Sequence, residues 1–515
     1  MANGKLFELI KQTLPSKAQE NIFNIIKDTN KIEPIYYSEI FEQMIHYDEI
    51  LSNFPSRICV IYHDFDVKFI GFILSALKNN FKILIRRTSL TNVQDFFSDF
   101  TALQKDIPIS MIFSDLPIHD KFQSLKSDLF LLHQDYPLAT YPLNFDFIQY
   151  SSGSTNTPAG FCLDFNALIK SAYHVIDVNR VTSKSICASY LTLSHIYGFV
   201  TGFLLPLLSG AKSYHCSTKI ISNDSAFLLK FITDKKITHV CAIMKTLEKA
   251  LENKSCKWDL SSLFCISVGG EKINYNIYEK VRIALTKFGM NPYGLVNSYG
   301  MSELGALTME DPLKGNAKIE HDGQSFLSVG DGSYKDLTIK VFDENKNELS
   351  DDMEGFIGIS NPDIADFYFS EKNLQNLKKY DILGREYYFN GDCGFSSKGK
   401  IYITGRKLNT VTYNGLKISD ALFKEFVKNE LSKLGAEVED CLVFNLPNEL
   451  NKVICYLNCE NIDEKILNAL YSKIKKDFHV DIYDFFVEPY RQTGIEKISL
   501  PKVIEMYKNK IGNIK

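Results

Sequence analysis

Four stretches of this chain carry side chains that could handle phosphate, metal and sugar. The first is YSSGSTNTPAG (150–160), where Ser151, Ser152, Ser154 and Thr155 supply hydroxyl donors. Gly153 and Gly160 would let backbone N–H groups approach an anion closely. No Gly-Lys-Ser/Thr follows, so this is not a Walker loop. It contains no Lys or Arg, and a plain polar turn would have the same composition. The second is VNSYGMSELG (296–305). A carboxylate such as Glu303 beside a phosphate loop is what Mg²⁺ needs, and Tyr299 could stack on a base. Equally, Tyr299 could be a core residue and Glu303 a solvated helix start. The third is YYFNGDCGFSSKGKIYITGRK (387–407). Asp392, in a turn after Gly391, could take both hydroxyls of a ribose, and Arg406 could bind phosphate or ribose. The fourth, RQTGIEKISLPK (491–502), places Lys497 in a loop that could reach a separate active site.

The elements that must position these residues follow from pattern. RICVIYH (57–63), KFIGFILSALKNN (68–80) and KILIRR (82–87) read as strand, helix, strand. SICASYLT (185–192), GFVTGFLLPLLSG (198–210) and AKSYHC (211–216) repeat that order, and ITHVCAI (237–243) and LFCISVGGE (263–271) add two strands. Such alternation predicts parallel sheets with helices on both faces. After about residue 322 short strands and turns dominate, predicting a small β-rich subdomain that runs to GKIYITGR (399–406). Beyond it the order helix, strand, strand, helix (418–478) predicts a separate α+β module, with a hinge near residues 407–412.

Composition sets the class. With 515 residues the chain has room for about three domain-sized units. Apolar residues at 45% and a net charge of −4 describe a globular chain with no broad nucleic-acid patch and no polybasic membrane surface. The 11 Cys contain no CxxC pair, and Cys455 and Cys459 lie too far from other ligands for a zinc site; buried thiols in a reducing compartment are expected. The N-terminus lacks the apolar core of a signal peptide. The most apolar runs, residues 69–77 and 199–211, fall short of the roughly 20 residues of a membrane span. A cytoplasmic enzyme or binding protein is expected.

Taken in order, the stretches resemble the adenylate-forming superfamily of acyl- and aryl-CoA synthetases, fatty acyl-AMP ligases, luciferases and peptide-synthetase adenylation domains. YSSGSTNTPAG is similar to its phosphate loop, SYGMSE to its Tyr-Gly-x-Thr-Glu motif, and NGD (390–392) to Thr-Gly-Asp. GRKLNTVTYNGLKIS (405–419) resembles the hinge motif and the following glycine loop, and TGIEKI (493–498) the terminal lysine motif. SVGGEKI (267–273) resembles the adenine-side Gly-Gly-Glu, and LSHIYG (193–198) the acyl-pocket His-x-x-Gly.

The resemblance implies an N-terminal domain, 1–405, of two doubly wound sheets plus the β-rich subdomain, and a small mobile α+β lid, 406–515. It implies that Ser151 to Gly160 hold the β- and γ-phosphates of ATP. Gly269, Gly270, Glu271, Ser298 and Tyr299 would line the adenine pocket, with Gly300 in the adjoining turn. Ser302 would touch the α-phosphate and Glu303 would hold Mg²⁺. Asp392 and Arg406 would take the ribose. Lys497 would bridge carboxylate and α-phosphate, then leave as the lid swings about residue 409 and Gly415 admits a thiol. His195 would sit at the acyl pocket. The positive charge missing from the first loop would come from Mg²⁺ on Glu303, from Arg406 and from Lys497.

Several positions depart from the family pattern. Ala159 replaces a Lys, Asn156 a Gly, Asn409 an Asp, Glu496 a Gly and Asn390 a Thr. Glu303, Asp392, Arg406, Gly415 and Lys497 are in place, which argues against a degenerate nucleotide-binding homologue. Amino-acid-activating relatives carry an Asp where this chain has TLSHIYGF (192–199), and an unpaired buried ammonium would be costly. A fatty or aromatic acid is therefore expected, walled by the apolar run that follows. Glu303 and Asp392 lie 89 positions apart in the chain (392 − 303), close to the uninserted family length. A thioester ligase is expected, with CoA or carrier-protein phosphopantetheine as acceptor. An enzyme that stops at the adenylate is the alternative.

Overall fold

A computed structural model describes the chain apart from residues 1–7, 9–16, 18, 29–30, 56, 87–98, 102, 106, 116–121, 127, 133–144, 152–158, 253–256, 271, 322–323, 371–372, 407–409, 414–415, 447–448, 479–480, 490–499 and 513–515. Two large sheets build the first part of the chain. One runs, in spatial order, Gly305–Met309, Leu295–Met301, Cys265–Val268, His239–Ala242, Ile186–Ser189, Lys212–Cys216, Asn21–Asp28 and Lys31–Tyr36. Its six central strands are parallel, and an antiparallel strand closes each edge.

The other sheet has nine strands, with Phe147–Ser151, Lys82–Ile85, Ile58–Tyr62 and Met111–Ser114 parallel at its centre. Every residue of Ile58–Tyr62 and Lys82–Ile85 is buried, as expected of strands covered on both faces. The connecting helix Val67–Lys78 starts at Asp66, whose carboxylate accepts from the Phe69 N–H at 2.9 Å. Phe23, Ile61, Phe72, Phe113, Phe199 and Phe203 belong to one core that joins the two sheets.

The helix expected over 198–210 is interrupted. Ile196–Phe199 is α-helical, Val200–Leu204 forms a π turn, and Leu205–Ser209 resumes the α-helix. The N–H of Leu205 reaches back five residues to the Val200 carbonyl. Pro206, with no N–H to donate, follows immediately, and the wider turn accommodates it.

A third, antiparallel sheet of seven strands contains Gly355–Ser360, Asp392–Ser397 and Lys400–Arg406. This is the β-rich region expected from the sequence. The C-terminal part packs helices Asp420–Lys433 and Glu464–Phe478 on the sheet Asp440–Leu446, Glu449–Asn458 and Ile482–Val487. Helix Leu500–Gly512 covers a second cluster through Val503 and Tyr507. That third strand and last helix were not anticipated. The fold is thus α/β, with a large N-terminal domain and a smaller C-terminal one. The ten described Cys are free thiols and eight are buried.

Candidate active site

Gly269, Gly270, Ser298 and Tyr299 lie at the carboxyl ends of parallel strands, where open α/β sheets place their ligands. Cys265–Val268 and Leu295–Met301 run parallel, with Val268 opposite Asn297. Their ends therefore set Gly269 and Gly270 beside Ser298 and Tyr299. The Ser298 hydroxyl donates to the Val268 carbonyl at 2.8 Å. A Cβ on Gly269 would stand 2.5 Å from that hydroxyl oxygen, so any larger residue must displace the Ser298 side chain. Gly270 adopts φ +82°, a left-handed conformation that closes the turn. Glu271 lies outside the described residues.

After Tyr299 the chain makes a tight hairpin, Met301 pairing with Gly305, and Ser302 and Glu303 occupy its tip. A Cβ on Gly300 would come within 2.5 Å of the Gly305 carbonyl oxygen. Ser302 is half-buried. Glu303 is buried, 8% exposed, and is not the solvated helix start that its motif allowed. Its Oε1 accepts from the Tyr388 hydroxyl at 2.7 Å, and its carbonyl accepts from the Ala365 N–H at 3.0 Å.

Asp392 opens the strand Asp392–Ser397 and is also buried. Its Oδ2 accepts from the Tyr299 hydroxyl at 2.5 Å and from the Asn390 amide at 2.6 Å. Asn390 Oδ1 accepts the Asp392 N–H at 3.0 Å, and its amide reaches Tyr299 Oη at 3.0 Å. Arg406 ends the strand Lys400–Arg406, its backbone opposite Asp392. Tyr299, Glu303, Asp392 and the glycine turn therefore form one constellation drawn from two sheets.

Ser151 ends the strand Phe147–Ser151 and pairs with Ala159, while Tyr150 pairs with Gly160. The strands on either side of the hydroxyl loop thus pair antiparallel. Ser152, Gly153, Ser154 and Thr155 lie outside the described residues, as do Lys497, Asn409 and Gly415. At Gly160 the structure shows a packing reason for glycine. It is a buried strand residue, and a Cβ there would stand 3.0 Å from both Ile107 Cδ1 and Ile148 Cγ2.

His195 is exposed and precedes the helical turn Ile196–Phe199, so it is not a packed core histidine. The preceding residue is tied to the strand of Ser151, because the buried Gln149 amide donates to the Ser194 carbonyl at 3.0 Å. Two positions after His195, the Tyr197 hydroxyl donates to the Ser267 carbonyl at 2.8 Å. Burial, and secondarily Cys241, push this phenol well above its ordinary range, so it stays a proton donor.

Sequence reasoning passed over Tyr388, Gln149 and Tyr197 and treated Asn390 only as a conservative replacement. Tyr388 and Asn390 are four and two positions from Asp392, and that adjacency was the available signal. Among the described residues no group of three or more His, Cys, Asp or Glu converges as a metal cage. A nucleotide-borne Mg²⁺ needs only one or two carboxylates besides phosphate oxygens, and a buried, hydrogen-bonded Glu303 fits that donor set.

The fold is that of an α/β protein with a large N-terminal domain and a smaller C-terminal one. The family model for AMP-binding enzymes matches residues 70–369, more than half of the chain, and the chain belongs to that family. It is 26% identical over 302 residues to the medium-chain-fatty-acid acyl-carrier-protein ligase JamA of Moorena producens (strain JHB), covering 52% of this chain and 50% of that protein. It is 27% identical over 278 residues to atromentin synthetase nps3 of Serpula lacrymans, covering 52% of this chain and 28% of that one. The chain thus spans half or less of the length of these curated relatives. Among solved structures, a chain from structural and functional studies of fatty acyl-adenylate ligases from E. coli and L. pneumophila superposes with a TM-score of 0.79. That match covers 99% of this chain and 98% of the other at 17% identity, a likeness of fold. Among the described residues no helix is long and apolar enough to cross a membrane.

Proposed function

We propose that the protein is an ATP-dependent carboxylic acid ligase that adenylates a fatty or aromatic acid and passes the acyl group to a thiol. The observation that carries this reading is the Tyr299–Asp392 hydrogen bond, which joins an aromatic ring on the strand next to the Gly269–Gly270 turn to a carboxylate that could take a ribose. The relative JamA, described as a medium-chain fatty acid ligase of acyl carrier protein, supports the acid class and a carrier-protein acceptor. CoA is the other acceptor the reading admits.

In this reading the substrate carboxylate is already a nucleophile and needs no base. One of its oxygens bonds to the α-phosphorus of ATP, the bond to the β-phosphate bridging oxygen breaks, and pyrophosphate leaves with the electron pair. The chain's contribution is positioning and charge stabilisation. The turn at Gly269 and Gly270, with Ser298 and Tyr299, holds the base, and Asp392 with Arg406 holds the ribose. Ser302 meets the α-phosphate, Ser151 to Thr155 cradle the outer phosphates, and Lys497 bridges the reacting oxygens. Mg²⁺ held by Glu303 would neutralise phosphate charge. His195 stands at the entrance of the acyl site. Domains 1–405 and 406–515 divide the work, the second acting as a lid. The thiol then attacks the acyl carbon and AMP leaves.

Pyrophosphate release over a panel of fatty and aryl acids, with CoA, with carrier protein and with neither, tests the reading. Acid-dependent release and discharge of the adenylate by one thiol are expected, and Lys497→Ala should sharply lower the release. No acid-dependent pyrophosphate from any member would overturn the ligase reading. An adenylate that neither thiol discharges would leave adenylation standing and remove thioester formation.

A further inference from the structure

The segment between Tyr388 and Asp392 touches both candidate carboxylates of the site. At its far end Asn390 donates to Asp392, and at its near end Tyr388 donates to Glu303. The Tyr388 end is the more firmly held. Its backbone exchanges two hydrogen bonds with Ile359, N–H to carbonyl at 2.8 Å and carbonyl from N–H at 2.9 Å. Its ring is half-buried against the cluster that includes Leu304, Ile359 and Ile364. With main chain and ring both fixed, the hydroxyl has little freedom, and it sits 2.7 Å from Glu303 Oε1. That is a charge-assisted length for O–H···O⁻. The Glu303 main chain is held separately by Ala365.

Resting on the cation role proposed for Glu303, we propose that Tyr388 is a positioning residue that orients the Glu303 carboxylate toward a nucleotide-borne divalent cation. A metal-binding carboxylate left to rotate loses affinity, and a fixed hydrogen-bond partner prevents that. Tyr388 acts through Glu303 and touches neither nucleotide nor acid.

The test uses the full chain, with ATP binding measured calorimetrically in Mg²⁺ and in EDTA. Tyr388→Phe keeps the ring and removes the hydroxyl. It should cut the Mg²⁺-dependent gain in ATP affinity roughly tenfold while leaving metal-free binding within about twofold. In a Glu303→Gln background the same substitution should add nothing. Equal weakening with and without metal, or a full further loss in the Glu303→Gln background, would mean that Tyr388 serves packing alone and would overturn the proposal. If Glu303→Gln loses the Mg²⁺ dependence while Tyr388→Phe retains it, only the Tyr388 role is lost. If Glu303→Gln itself keeps the Mg²⁺ dependence, the cation assignment fails and this proposal fails with it.

Discussion

The phenol oxygen of Tyr299 stands 2.5 Å from Oδ2 of Asp392, across 93 positions of sequence and between two different sheets. That bond ties the tip of the Tyr299 side chain to one oxygen of the Asp392 carboxylate. Asn390 places a second donor on the same oxygen. The carboxylate is therefore oriented before any nucleotide arrives.

Asp392→Asn replaces a charged acceptor by an amide facing two donors. A hydrogen bond to a charged group contributes roughly 1.5–3 kcal/mol, so the ATP Kd should rise about 10- to 100-fold. Tyr299→Phe, with Asn390 still in place, should give a smaller rise. Isothermal titration with ATP measures both. Wild-type affinity in Asp392→Asn would remove Asp392 from the ribose site.

Glycines around the site differ in why they are required, and alanine separates the reasons. A Cβ on Gly198 would stand 2.1 Å from the Thr192 carbonyl oxygen, and one on Gly269 2.5 Å from Ser298 Oγ. At Gly270 a Cβ would meet nothing within 4 Å, and only its φ of +82° resists substitution. Gly198→Ala should cost roughly 2–3 kcal/mol through overpacking, and Gly270→Ala about 1–2 kcal/mol through left-handed strain. Gly269→Ala should also displace the Ser298 hydroxyl and weaken ATP binding. Urea denaturation gives the ranking, and an equal cost at positions 198 and 270 would refute it.

Motif order made the constellation legible, because Tyr299, Glu303 and Asp392 each belong to a short local pattern. Strand and helix alternation made the two parallel sheets legible for a similar reason: Ile58–Tyr62 and Lys82–Ile85 are continuous apolar runs. What the sequence left hidden is long-range pairing. Nothing near Tyr388 says that its hydroxyl ends on Glu303, 85 positions earlier, and nothing near Gly160 says that Ile107 packs over it. The π turn at Val200–Leu204 was hidden because its apolar pattern matches that of an unbroken helix.

Acid should destabilise the fold through buried histidines. Burial lowers His215, on Lys212–Cys216, to about 4. Burial, then Lys335, lowers His174 to about 4 against the opposing pull of Asp177. In the unfolded chain both protonate near 6.5. Their neutral forms therefore stabilise the fold fully above pH 6.5, and this contribution is lost as pH falls from 6.5 toward 4. The expected loss is on the order of 3 kcal/mol for each histidine. His215→Leu should flatten the slope of unfolding free energy between pH 6.5 and 5 by one proton's worth. An unchanged slope in denaturation series at those pH values would show that His215 is not held neutral.

Lys82 and Asp146 form a buried ion pair at 3.3 Å, with the lysine side chain 1% exposed. The pair sits where Lys82–Ile85 and Phe147–Ser151 begin, at the opposite end from the hydroxyl loop. Asp146 also accepts from the Phe165 N–H at 3.3 Å, and its backbone bonds both Ile83 and Leu163 at 2.9 Å. Burial lowers the Lys82 ammonium and Asp146 partly restores it. Asp146→Ala would strand that ammonium and should cost about 3–5 kcal/mol. Lys82→Met combined with Asp146→Leu removes both charges, leaving mainly the Phe165 N–H without its acceptor, at a cost of about 1–3 kcal/mol. The double variant should therefore be more stable than Asp146→Ala, a reversal that an exposed pair would not produce. Urea denaturation of Asp146→Ala and of the double variant measures the difference. A double variant no more stable than Asp146→Ala would mean that the loss comes from packing and the helix start rather than from a stranded charge.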